Sequence, residues 1–84
     1  MRLLLQQRPD GREAPRFVQL QLQPDLLGGW ELLRETGQTG GRSTLRRELY
    51  QNQRSAIAAL EAARDAQLKR GFQLVFAQGA DAPR

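Results

Sequence analysis

The chain contains no cysteine and no histidine, and each absence removes a class of chemistry. Without cysteine there are no disulfide staples and no thiolate zinc sites. Without histidine the commonest general base and metal ligand is missing as well, so neither a metalloenzyme nor a Ser-His-Asp hydrolase is expected. No nucleophile and base stand together at a recognisable spacing, which leaves catalytic residues and cofactors without candidates. Lysine is nearly absent, Lys69 being the single one. Long apolar runs are absent too. The opening Met1-Arg2-Leu3-Leu4-Leu5 stops at Gln6, short of the roughly 7 to 15 apolar residues of a secretory leader. Nothing approaches the roughly 18 apolar residues that a membrane span needs. No membrane partner and no metal are expected, and a cytoplasmic location is.

What is present is compatible with one small domain. A chain of 84 residues forms one core and buries only about 60 to 65% of the surface its unfolded form exposes. Its net charge of +4 is carried almost wholly by arginine. The planar guanidinium fork suits paired contacts to phosphate or carboxylate, which favours an anionic partner. Arginine-biased codon usage with an ordinary solvated surface accounts for the same skew, and composition leaves both readings open.

Along the chain, Arg2 to Gln7 alternates imperfectly and reads as a first strand, partly covered on both faces or lying at an edge. Arg8 to Pro15 gathers Pro, Asp and Gly into an exposed loop. Phe17 to Gln23 is the clearest strand: Val18, Leu20 and Leu22 alternate with Gln19, Gln21 and Gln23, giving one dry and one wet face. A turn over Pro24 to Gly29 leads to a third strand, Trp30 to Glu35. Trp30, Leu32, Arg34 and Thr36 share one of its faces, Glu31, Leu33 and Glu35 the other. Which of these lies inside is left open by the pattern, and Trp30 reads as a core or rim residue in preference to a stacking platform. Gly37, Gly40 and Gly41 mark a glycine-rich turn, after which Arg42 to Tyr50 is the fourth strand.

Asn52 is a suitable N-cap, and Gln53 to Arg70 is alanine-rich and free of Gly and Pro. This predicts a single helix with Ala56, Ile57, Ala59, Leu60, Ala63 and Leu68 on one stripe and Glu61, Asp65 and Lys69 opposite. Gly71 supplies the helix stop, and Phe72 to Phe76 is a last strand. The predicted fold class is therefore α+β, an antiparallel sheet of four to five strands packed against one long helix. Residues 1–84 form one domain with its core at about 16–76 and a frayed tail at 77–84. Leu20, Leu22, Ile57, Leu60, Leu68 and Leu74 are the expected core.

The stretch Gly28-Gly29-Trp30-Glu31-Leu32-Leu33-Arg34-Glu35, followed by Gly37, Gly40 and Arg42, resembles the central hairpin of the WGR domain family, small modules named for a Trp-Gly-Arg triplet. The resemblance extends over Phe17 to Gln73, includes the Lys69-Arg70-Gly71-Phe72 helix ending, and reaches the Arg8-to-Phe17 leader of compact bacterial members. It implies an antiparallel sheet on one helix. In poly(ADP-ribose) polymerases the WGR domain contacts DNA near a strand end, its Trp and Arg supplying stacking and a cationic contact, and it relays binding to a separate catalytic domain. Here Thr36-Gly37-Gln38 stands in the triplet's place, so only its glycine is kept.

The candidate nucleic-acid-binding residues are Gln38, by its place in the triplet, and Arg42, Arg46 and Arg47 beside a turn whose bare amides can approach an anion. Charge protecting an edge strand from aggregation explains the same arginines equally well. Two functions are open: a weak, sequence-independent DNA-binding module, or a protein-interaction domain that kept the fold and lost DNA binding.

Overall fold

The computed structural model describes residues 1–8, 11 and 13–79. In chain order the elements are β1 (Arg2–Gln7), β2 (Arg16–Pro24), β3 (Trp30–Gln38), β4 (Ser43–Tyr50), α1 (Gln53–Lys69) and β5 (Phe72–Gln78). The strands form one five-stranded sheet in the order β4-β3-β2-β1-β5, antiparallel at every junction. Among the described residues no helix is long and apolar enough to cross a membrane.

The strand order dictates the helix's path. β4 and β5 are opposite edges of the sheet, and α1 alone connects them. Four strand spacings amount to about 19 Å, whereas a 17-residue helix is about 25 Å long, so α1 fits only as a diagonal. It starts where β4 ends at Tyr50 and finishes where β5 begins at Phe72. A diagonal covers the middle of the sheet and leaves the inner face of the β3–β4 arm bare near the far end of that arm.

Period-2 alternation puts Leu3, Leu5, Val18, Leu20, Leu22 and Leu32 on the helix side, with Leu3 opposite Leu20, Leu5 opposite Val18 and Leu22 opposite Leu32. Ala56, Leu60 and Ala63 of α1 close over them, the small alanines allowing a close approach. Trp30, pairing with Tyr50 across β3 and β4, packs against the rim of this cluster, as does Ile57. Leu3 and Leu5 lie before the expected core span, so β1 is an interior strand of the sheet with neighbours on both sides. The helix begins as its sequence requires: the Ser55 amide donates to Asn52 Oδ1 at 2.8 Å, and Asn52 itself is extended. It ends at Gly71, whose φ of 95° lies in the left-handed region.

Two expected core residues are peripheral. Leu68 is 42% exposed and Leu74 43%, because they sit where the last turn of α1 hands over to β5, an edge with no strand beyond it. Three strands are longer than their sequence pattern, β2 by Arg16 and Pro24 at its two ends. β3 continues through Thr36, Gly37 and Gln38, which pair with Val18, Phe17 and Arg16, and the turn is confined to residues 39–42. β5 continues through Ala77 and Gln78, opposite Leu3 and Arg2. The rest of the expected tail, residues 80–84, and residues 9, 10 and 12 of the expected loop lie outside the described residues.

Leu60 is fully buried in the core cluster from the middle of the helix, so Leu60→Ala leaves a cavity that α1 cannot close. Denaturant unfolding should show a loss of about 2 to 5 kcal/mol.

Candidate nucleic-acid interface

The β3–β4 arm is shaped by one close approach. Gly37 is buried inside β3, opposite Ser43, and a Cβ there would lie 2.8 Å from the Ser43 Cα and nearer still to the Arg42 carbonyl. Its glycine is required by the nearness of the neighbouring strand. The reversal itself is made one step later, where the Gly41 amide donates to the Gln38 carbonyl at 2.7 Å. The Thr39 amide donates to the Pro15 carbonyl at 3.0 Å and ties this turn to the segment leading into β2.

The four candidate residues do not converge. Gln38 turns toward that leading segment, its Nε2 donating to the Ala14 carbonyl at 2.8 Å. Arg42 is exposed in the turn. Arg46 and Arg47, adjacent on β4, point to opposite faces of the sheet, as a strand's period of two demands. Arg46 lies on the helix side, where its Nη2 is 3.7 Å from Glu48 Oε2. Arg47 lies on the outer face, its Nε 3.4 Å from Glu31 Oε1, an electrostatic approach without hydrogen-bond alignment.

On the outer face Glu31 is almost fully buried although no helix covers it. The wet-face glutamines account for this, since Gln21 Nε2 donates to Gln23 Oε1 at 3.0 Å and Gln23 Nε2 to Glu31 Oε2 at 2.6 Å. These glutamines thus hold a carboxylate in place.

On the inner face Glu48 is the hub. Arg34 Nη2 donates to its Oε2 at 3.4 Å, and the Tyr50 hydroxyl donates to Oε1 at 3.1 Å. Burial, followed by the hydrogen bond and charge of Glu48, raises the Tyr50 pKa above that of a free phenol, so Tyr50 remains a donor. Arg34 pairs across the strands with Arg46, one row from Thr36 and Thr44 on the same face. Thr36 opens onto a cleft of about 180 Å³ that Arg16 from the start of β2 and Gln67 and Arg70 from the end of α1 also line. The inner face of this arm therefore carries two pairs of guanidinium groups: Arg16 and Arg70 line the cleft with Thr36, and Arg34 and Arg46, one row along β3 and β4, share the Glu48 carboxylate. Gln67 Oε1 is buried at the cleft with no hydrogen-bond partner among the described residues.

Sequence reasoning missed Arg16, Arg34 and Arg70 as members of one group. Arg16 and Arg70 are 54 residues apart, and only the β2–β3 register and the end point of α1 join them. A usable signal existed in Arg34 and Thr36, which share the strand face of Trp30.

The chain is thus an α+β module in which one helix crosses an antiparallel sheet, with a cationic corner beside it. No family model, curated protein or solved structure matches it.

Because the strands approach each other most closely at Gly37, Gly37→Ala forces β4 away from β3. The variant should lose about 1 to 3 kcal/mol of stability by thermal or denaturant unfolding, as overpacked sites do.

Proposed function

We propose that this protein is a non-catalytic module that binds DNA weakly and without sequence preference, in a cytoplasmic setting, through the inner-face corner of the β3–β4 arm. The observation that carries this reading is the placing of four arginines on one face, Arg16 and Arg70 in the cleft at Thr36 and Arg34 and Arg46 in the next row, where they share Glu48. Guanidinium groups neutralise phosphates and release counterions, which gives affinity with little sequence information. The resemblance to WGR domains supports the same corner, because Thr36 occupies the position of the triplet's tryptophan. Threonine offers no stacking face, and Gln38 replaces a cation, so Kd is expected on the order of 10⁻⁴ to 10⁻⁶ M near physiological salt.

The proposal separates neighbours in sequence. In titrations of labelled single-stranded, blunt and nicked DNA at several salt concentrations, Arg46→Ala should weaken binding and lower the slope of log K against log salt by nearly one unit. Arg47→Ala, on the outer face and beside Glu31, should leave both almost unchanged. Equal losses from the two variants would sink the inner-face assignment.

Rebuilding the triplet is the complementary test. Thr36→Trp with Gln38→Arg puts an indole at the mouth of the cleft and a new cation beside it. Affinity for a DNA end should rise by about 1 to 3 kcal/mol, with the salt slope growing by nearly one unit, once thermal melts show that the variant folds.

A protein-interaction role is the second reading, favoured by the β2–β3 turn. Asp25 and Gly29 close this turn with a 2.8 Å hydrogen bond, and Leu26 and Leu27 stand fully exposed at its tip. Exposed adjacent leucines on a hydrogen-bonded turn suit an apolar pocket on a partner. Absence of DNA binding at low salt would leave this reading in place of the first.

A further inference from the structure

The face of the sheet turned away from α1 is covered by no element among the described residues. Its residues follow from the register: Arg2 and Leu4 of β1, the odd-numbered residues of β2, Glu31, Leu33 and Glu35 of β3, Leu45, Arg47 and Leu49 of β4, and Phe76 of β5. Phe76 reaches this face because the β1–β5 register shifts between Leu4 and Leu5, and Arg2 lies over its ring at 5.4 Å. A sheet face that stays in water is ordinarily polar. This one carries Leu4, Phe17, Leu33, Leu45, Leu49 and Phe76, spread over all five strands. Leu45 is 63% exposed and Leu49 58%.

We infer that the outer face is a self-association surface on which a second copy of this chain packs sheet against sheet in a two-fold dimer. Charge selects this occupant. The chain as a whole carries +4, which opposes association of copies, but the outer face sets Arg2 and Arg47 against Glu31 and Glu35. That part of the surface is neutral and self-complementary, and a polyanion gains nothing from it. Relief fits as well. Leu45 and Leu49, with Arg47 between them, form a ridge along the edge strand, and a hollow of about 190 Å³ lined by Leu45, Glu35, Leu33, Gln19 and Gln21 lies beside it. A two-fold axis sets the ridge of one copy against the hollow of the other, as an isologous contact requires.

The area is sufficient. Five strands of six to nine residues make a face of about 24 by 27 Å, so a pair of faces buries about 1,300 Å², above the roughly 1,000 Å² expected of a specific interface. In the dimer both helices and both arginine corners face outward, so this contact and the DNA reading are independent of each other.

The experiment is sedimentation equilibrium of the wild-type chain from micromolar to millimolar concentration, paired with the variant Leu45→Lys, Leu49→Lys. The wild type should pass from a 9.5 kDa monomer to a species of twice that mass. The variant's dissociation constant should be raised at least about a hundredfold, from the loss of two buried leucines per copy. Both positions are exposed in the monomer, so dilute thermal melts of the two proteins should agree. Methyl spectra of the wild type keep the test independent of the variant: Leu33, Leu45 and Leu49 should shift with concentration while Leu26 and Leu27 stay fixed. A wild type that remains monomeric at millimolar concentration overturns the inference. So does a dimer that the variant forms equally well, or one whose methyl shifts fall on Leu74 and Leu26 instead.

Discussion

The crossing of α1 from one edge of the sheet to the other is the constraint on which the remaining structure depends. β4 ends at one margin and β5 must begin at the opposite one, with seventeen helical residues between them. Length fixes the diagonal, and the diagonal fixes what is buried. Ala56, Leu60 and Ala63 fall over Leu5, Leu20 and Leu32 at the centre, while the β3–β4 arm extends past the helix and keeps its inner surface open. The cationic corner exists because a helix of this length, laid in this direction, borders it with Gln67 and Arg70 without covering the β3–β4 arm beyond.

Local features of the fold were legible in the sequence for stated physical reasons. The alternation of Val18, Leu20 and Leu22 with glutamines specified β2, and Asn52 and Gly71 specified both ends of the helix through one capping hydrogen bond and one left-handed backbone angle. Strand ends were less legible. Gly37 looks like part of a turn because glycine favours turns, yet its role is to let two paired strands come close, and the strand continues through it. Leu68 and Leu74 belong to well-patterned elements, and only the placement of β5 at an edge leaves them exposed.

The candidate site was legible in its chemistry and much less so in its geometry. Arginines near the hairpin were visible as a group, but a strand's period of two sends Arg46 and Arg47 to different faces, and sequence gave no means of telling which face the helix covers. The cleft at Thr36, one row from Arg46, draws Arg16 from a strand start and Arg70 from a helix end. Such a grouping is a property of the strand order. The same holds for Glu31, whose burial depends on Gln21 and Gln23 of the adjacent strand.

The pairing of β1 with β5 also bears on how the chain reaches this state. Arg2 meets Gln78, nearly the whole chain away, whereas β2, β3 and β4 are joined by short turns. Closing a long loop costs more conformational entropy than closing a short one, by about 0.6 kcal/mol for each doubling of length. Residues 8–15 join β1 to β2 just as locally, so the four-stranded meander β1–β4 is the entropically cheap unit, and it presents Leu3, Leu5, Leu20, Leu22 and Leu32 before β5 is added. The helix then acts as a tether: docked on the meander, it delivers β5 to the free margin of β1. A sheet that is uniform in its hydrogen bonding is therefore unequal in the range of its contacts, with four strands paired locally and one that depends on the crossover.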